Sequence, residues 1–241
     1  MFALNQVFYT KEEVFLILAG DEKRKVIPYR FKSTTISLIS EEISTFLKEA
    51  AQTSFLHSSD FEHWNISDKF MVLPMAVYDP QHKHAYWERM FGLPTQDRTL
   101  EETSHKALKI HFLYAVPVWL NTYLKLQFNK QHSSSFYGEI LKNVQGFGIQ
   151  AALLITSDSF VFTIYTEKEL HYFDISPYQS VDDILYTMLH VMHRQKWSME
   201  NNPLAIYGFC SSALLESLKT EIRKITELKG FKTSEFINCY P

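Results

Sequence analysis

Residues 151–207 read AALLITSDSFVFTIYTEKELHYFDISPYQSVDDILYTMLHVMHRQKWSMENNPLAIY, and this stretch restricts the fold more than any other. Three apolar runs, near 150–156, 159–166 and 169–175, are separated by short polar turns and predict a three-stranded meander. A helix is expected over about 181–195. Ser180 is its N-cap, Asp182 and Asp183 lie in the first turn, and Ile184, Leu185, Met188, Leu189 and Met192 recur on one face. Leu204 to Tyr207 then forms a further strand. The order strand, strand, strand, helix, strand places the chain in the α/β class with mixed sheets.

The N-terminal half reads in a similar order. Ala3 to Phe8 and Glu13 to Leu18 flank a polar turn at Thr10–Glu12, and Lys25 to Phe31 continues as a third strand. Ser40 is placed as an N-cap ahead of Glu41 and Glu42, with Ile43, Phe46 and Leu47 at helical spacing as far as about Gln52. Thr53 to Asp68, with His57 and His63, reads as a loop, and Phe70 to Pro74 as a buried strand. Asp79 to Thr103 is a polar excursion with a helix near His84–Phe91. Leu108 to Val116 is a strand, and Pro117 opens a helix whose stripe is Trp119, Tyr123, Leu124 and Phe128. Phe136 to Val144 fits a strand or a helix. Ser211 or Ser212 begins a helix toward Leu228, and Phe231 to Pro241 suits a last strand.

These two orders suggest an internal repeat. Val14-Phe15-Leu16-Ile17 resembles Val161-Phe162-Thr163-Ile164 at an offset of 147, and Pro28 matches Pro177 at an offset of 149. SEEI at 40 and SVDDI at 180 each follow as helix starts. The implied division is residues 1–145, carrying the excursion at about 79–105, and residues 146–241.

A meander, a helix and further strands given twice resemble the ribonuclease H-like fold as duplicated in actin-like ATPases. The run FVFTIYTEKELHYFDISPYQSVDDILYTMLHVM and the later NPLAIYGFCSSALLESL are similar to a family of uncharacterised bacterial proteins with this fold. The Pro28 and Met71–Pro74 regions match that family more weakly. The resemblance implies the fold and carries no activity with it. It also implies where a nucleotide would sit. Active members hold metal and phosphate with an acid and glycines in the first hairpin turn of each half, and adenosine beside a glycine pair. Here the turns are Tyr9-Thr10-Lys11-Glu12-Glu13 and Thr156-Ser157-Asp158-Ser159, without glycine. The adenosine-side element, Tyr207-Gly208-Phe209-Cys210, has one glycine, and Phe209 takes up room a nucleotide needs. Asp158 and Gly208 are the residual cofactor-binding candidates; no catalytic residue, metal site or cofactor is expected.

Composition agrees with eroded phosphate chemistry. Seven glycines in 241 residues are about 3%, against roughly 7% in ordinary chains, and phosphate loops need glycine for close backbone approach. A net charge of -3 gives no electrostatic footprint for nucleic acid. Nuclease chemistry would need carboxylates converging on metal; only Asp158, Asp174 and Asp182/Asp183 lie near suitable elements, and capping explains the last two. His190 and His193 share a helix face without a third ligand in view, and His82 and His84 merely alternate. Cys210 and Cys239 form no framework, Cys210 reading as a buried thiol. No apolar run approaches the roughly 20 residues of a membrane span, so a cytoplasmic location is expected.

A degenerate actin-like protein that works by binding is therefore the expected function. Its partner would be a protein or peptide held in an interdomain cleft or at a sheet edge, with no nucleic acid and no membrane insertion. Oligomeric state is left open. The alternative is an ATP-binding phosphotransferase or ATPase with eroded motifs.

Overall fold

The computed structural model of this chain describes residues 5–10, 12–18, 25–33, 35–54, 61–93, 95–120, 122–123, 134–135, 137, 151–165, 169–199, 204–228 and 237–238. Two compact units are present, residues 1–104 with 110–138 and residues 105–109 with 139–241.

In the first unit, β1 (Asn5–Tyr9), β2 (Glu13–Leu18) and β3 (Lys25–Arg30) form an antiparallel meander. Helix α1 (Ile36–Ser54) leads to β4 (Phe61–Asn65), which returns parallel to β1, and β8 (Ser134–Ser135) pairs parallel to β4. The sheet order is β3-β2-β1-β4-β8. A second sheet, in the order β5-β7-β6, comprises β5 (Phe70–Pro74), β6 (Arg98–His105) and β7 (Ile110–Pro117). Helix α2 (Lys83–Phe91) packs Trp87 against Leu100, Leu113 and Ala115.

The second unit repeats the plan. β9 (Ala151–Ile155), β10 (Ser159–Tyr165) and β11 (Leu170–Pro177) form the meander, and α3 (Val181–Arg194) precedes β12 (Leu204–Gly208). Helix α4 (Ser212–Leu228) and β13 (Ile237–Asn238) follow, and the sheet order is β11-β10-β9-β12-β13. One core cluster lies on the helix-covered face of this sheet. Leu153, Ile155, Phe160, Phe162, Leu204 and Ile206 pack there against Ile184 and Met188 of α3 and Leu215, Leu218 and Ile222 of α4. Each such side chain contributes about 1.5–3 kcal/mol on burial, so the faces of the two helices fix their seats on the sheet.

Structure corrects several boundaries. Helix α1 begins at Ile36 rather than after Ser40, and the Thr35 carbonyl accepts from Ile39 N–H at 3.0 Å. That extra turn buries Ile39 in line with Ile43, Phe46, Leu47 and Ala50. The expected loop at 53–68 contains β4, the excursion contains β6, and Pro117 ends β7 just before helical residues 118–120. His57, Leu124, Phe128, most of Phe136–Val144 and most of the tail lie outside the described residues.

The repeat is present, and its register differs from the sequence match. Tyr9 lies opposite Val14 and Ile155 opposite Phe160, so Val14 corresponds to Phe160, an offset of 146. Phe15 faces Pro28 while Val161 faces Ile175, so Pro28 corresponds to Ile175. Pro177 faces Ser159 and corresponds to Arg30. A one-residue slip normally exchanges faces. Val14–Ile17 and Phe160–Tyr165 are buried throughout, so no polar alternation was present to set the phase.

Candidate functional site

The first β-hairpin turn of each unit, at residues 10–13 and 156–159, is closed by a threonine. Thr10 N–H donates to Glu13 O at 2.9 Å, and the Thr10 hydroxyl accepts from Glu13 N–H at 2.9 Å and Glu12 N–H at 3.2 Å. Likewise, Thr156 N–H donates to Ser159 O at 2.8 Å, and its hydroxyl accepts from Ser159 N–H at 3.2 Å. Side-chain hydroxyls commonly hold turns in this way, and they compete with any outside acceptor for the same amides.

The acids beside these turns are engaged locally. Glu12 pairs with Arg30 at 2.8 Å. Asp158, the counterpart of Glu12, accepts from the Ser159 hydroxyl at 3.0 Å, and its carbonyl accepts from Tyr178 N–H at 3.4 Å. The Tyr178 hydroxyl donates to Thr156 O at 2.6 Å, tying the turn to the end of β11. Asp174 lies on β11, and Asp183 completes a capping box with Ser180. The three backbone and hydroxyl donors of Gln179 and Ser180 hold the Asp183 carboxyl below its usual range, Gln179 N–H contributing most.

Gly208, the other candidate, ends β12. A Cβ at this position would stand 2.9 Å from Leu215 Cδ2, so close approach of α4 accounts for the missing side chain. Phe209 is buried, and its N–H donates to Ile155 O at 2.7 Å. The structure therefore separates the two candidates' settings: a turn acid and a strand-end packing position.

Sequence reading missed a buried polar row along β4 and just past its end. Tyr9 and His63 meet through Tyr9 Oη and His63 Nδ1 at 2.9 Å, with stacked rings, and burial pushes the Tyr9 phenol well up. Asn65 and Ser67 are buried next along, and the Ser67 hydroxyl reaches Ala115 O at 2.8 Å. Alternating His63 and Asn65 gave a strand period, but their polarity argued for a loop.

The first unit also has a cleft of about 380 Å³ beside the Thr10–Glu13 turn. Phe31 and Trp119 meet edge-on in its wall at 5.5 Å, and Glu12, Arg30, Lys32, Asp97 and Arg98 bring charge to it. Arg98 makes a two-pronged pair with Asp68, one prong at 3.1 Å, which raises its pKa further. Arg30 and Arg98, two of the cations in the lining, thus each pair with a carboxylate. Among the described residues, no three His, Cys, Asp or Glu side chains form a metal set, and no helix is long and apolar enough to cross a membrane. His190 stacks on Tyr186, and His82 pairs with Asp79.

A family model described as "Protein of unknown function (DUF3822)" matches residues 8–225. None of the curated proteins matches the sequence. A solved protein from Bacteroides thetaiotaomicron, with actin-like ATPase fold and unknown function, is similar at TM-score 0.69 and 11% identity, over 91% of this chain and 86% of that one. The cytoplasmic domain of EpsL, an inner membrane component of the type II secretion system of Vibrio cholerae, is similar at TM-score 0.42 and 10% identity, over 86% and 83%. A PilM–PilN type IV pilus biogenesis complex gives TM-score 0.46 and 9% identity, over 96% and 87%. The first likeness shows an actin-like ATPase fold; the other two are too loose to carry an argument.

Proposed function

This chain belongs to the DUF3822 family of proteins of unknown function, and from that premise we propose a catalytically degenerate actin-like protein that binds a protein or peptide partner in the cytoplasm. The observation that carries this reading is the closure of both hairpin turns by Thr10 and Thr156. Phosphate binding by backbone requires amides directed at the ligand and room to approach them. Here the Glu12, Glu13 and Ser159 amides already donate to a threonine hydroxyl, and no glycine opens the turn. Asp158 and Gly208 are retained as proposed remnants of the nucleotide site. Binding remains available to a scaffold whose phosphate turns have closed, because it needs surface complementarity rather than phosphate orientation.

Calorimetry of the full chain with ATP and magnesium tests the degenerate half of this reading. The expected result is no saturable heat; micromolar binding with phosphate release would establish the phosphotransferase or ATPase alternative instead. The adaptor half is tested by affinity capture from native lysate, followed by titration of the recovered partner with purified chain. A saturable complex is expected, and recovery of this chain alone in repeated captures counts against it.

A further inference from the structure

We infer that Asp174 guards the outer edge of the second unit's sheet, its carboxylate occupying the outward amide of Ile175 and so preventing β11 from pairing with β11 of a second copy of this chain. This inference stands independently of the adaptor reading.

Strand parity identifies the outward groups. Ser159 faces Pro177, which has no N–H, so that pair cannot exchange two backbone hydrogen bonds. Tyr178 N–H reaches Asp158 O, which sets the bonded pairs at Phe160/Ser176, Phe162/Asp174 and Ile164/Tyr172. Backbone groups of Phe173 and Ile175 consequently point away from β10, on the side where the sheet order ends among the described residues. Ile175 N–H donates to Asp174 Oδ1 at 2.9 Å. The other carboxylate oxygen lies 3.3 Å from Tyr172 Oη and 3.2 Å from Ser176 Oγ, which orients the group along the edge.

The first unit supplies an internal control. Phe31 N–H donates to Glu12 O, so the same parity turns Val26, Pro28 and Arg30 outward on β3. Pro28 and Ile175 are counterparts in the repeat. One position lacks the donor because it is proline; the other has its donor occupied by the preceding carboxylate. Edge strands with unpaired donors template association, and proline or charge at the edge is the common remedy. β11 needs one because Tyr172, Phe173 and Ile175 make it a strong strand former. Pairing of two β11 strands about a twofold axis would join the sheets of two copies.

The test compares the full-length protein with Asp174→Ala, Asp174→Asn and the double variant Asp174→Ala/Ile175→Pro by sedimentation velocity over a hundredfold concentration range. Asp174→Ala should form a larger, concentration-dependent species than the wild-type chain. Asp174→Asn retains an acceptor for the Ile175 amide and should match wild type. The double variant reproduces the proline solution of β3 and should return to wild-type behaviour. A folded Asp174→Ala protein sedimenting as wild type at every concentration overturns the inference, and so does a double variant that keeps the larger species. Circular dichroism checks folding; if Asp174→Ala loses its signature, Asp174→Ser replaces it with the same two outcomes.

Discussion

Thr10 and Thr156, 146 residues apart, close equivalent turns with the same hydroxyl-to-amide bonds. Thr156 is also buried, so Thr156→Val should leave the Ser159 amide without its acceptor at a cost of about 1–2 kcal/mol. Thermal melts should fall by roughly 2–8 °C for a chain of this size, and Thr156→Ser should recover most of the loss. Equal melts for valine and serine would show that the hydroxyl is not holding the turn.

Gly208 and Leu215 should couple. An alanine at 208 meets Leu215 Cδ2 at 2.9 Å and Cδ1 at 3.1 Å, and overpacking of this kind costs about 1–3 kcal/mol. Leu215→Ala alone opens a cavity costing about 2–5 kcal/mol. In a double-mutant cycle by urea denaturation, the pair should cost less than the sum by about 1 kcal/mol. Strict additivity would show that the two positions do not compete for the same space.

The Asp183 capping box predicts a pH dependence of defined sign. Gln179 N–H, then Ser180, holds the folded carboxyl below its ordinary value, so the folded state favours the ionised form. The resulting stability is complete above the unfolded pKa of about 3.9 and disappears as pH falls through the lower folded value. Denaturation of wild type and Asp183→Asn should therefore differ at pH 7 and converge as the pH falls below the unfolded pKa and through the lower folded one. A gap that stayed constant with pH would rule out this linkage.

Burial pushes the Cys210 thiol up to about 11, against a smaller opposing influence from Lys219. Thiolate is the reactive form, so at pH 8 alkylation by iodoacetamide in a Cys239→Ser background should run about a hundredfold slower in the folded protein than in urea, where the pKa is about 8.5. Comparable rates in the two states would place the thiol in open solvent.

Much of the second unit was legible because its signals agree. The apolar runs of β9 and β10, the Ser180 cap and the Ile184–Met192 stripe each specify one local structure, and their order specifies the fold. β4 was illegible because His63, Asn65 and Ser67 are buried through partners distant in sequence, Tyr9, Ala115 and Tyr137 among them. Helix α1 was started late because Ser40 is an acceptable cap in isolation, whereas burial of Ile39 selects the earlier turn.

Sequence alone determined the strand and helix order of the second unit, the duplicated meander and the lack of glycine where phosphate would bind, since these depend on residue type and local periodicity. Tertiary structure decided the register of the repeat, the engagement of the turn amides by Thr10 and Thr156, and the equivalence of Pro28 with Ile175. Those outcomes depend on which strand lies opposite which, a long-range choice made by packing two-sided buried strands that carry no alternation of their own.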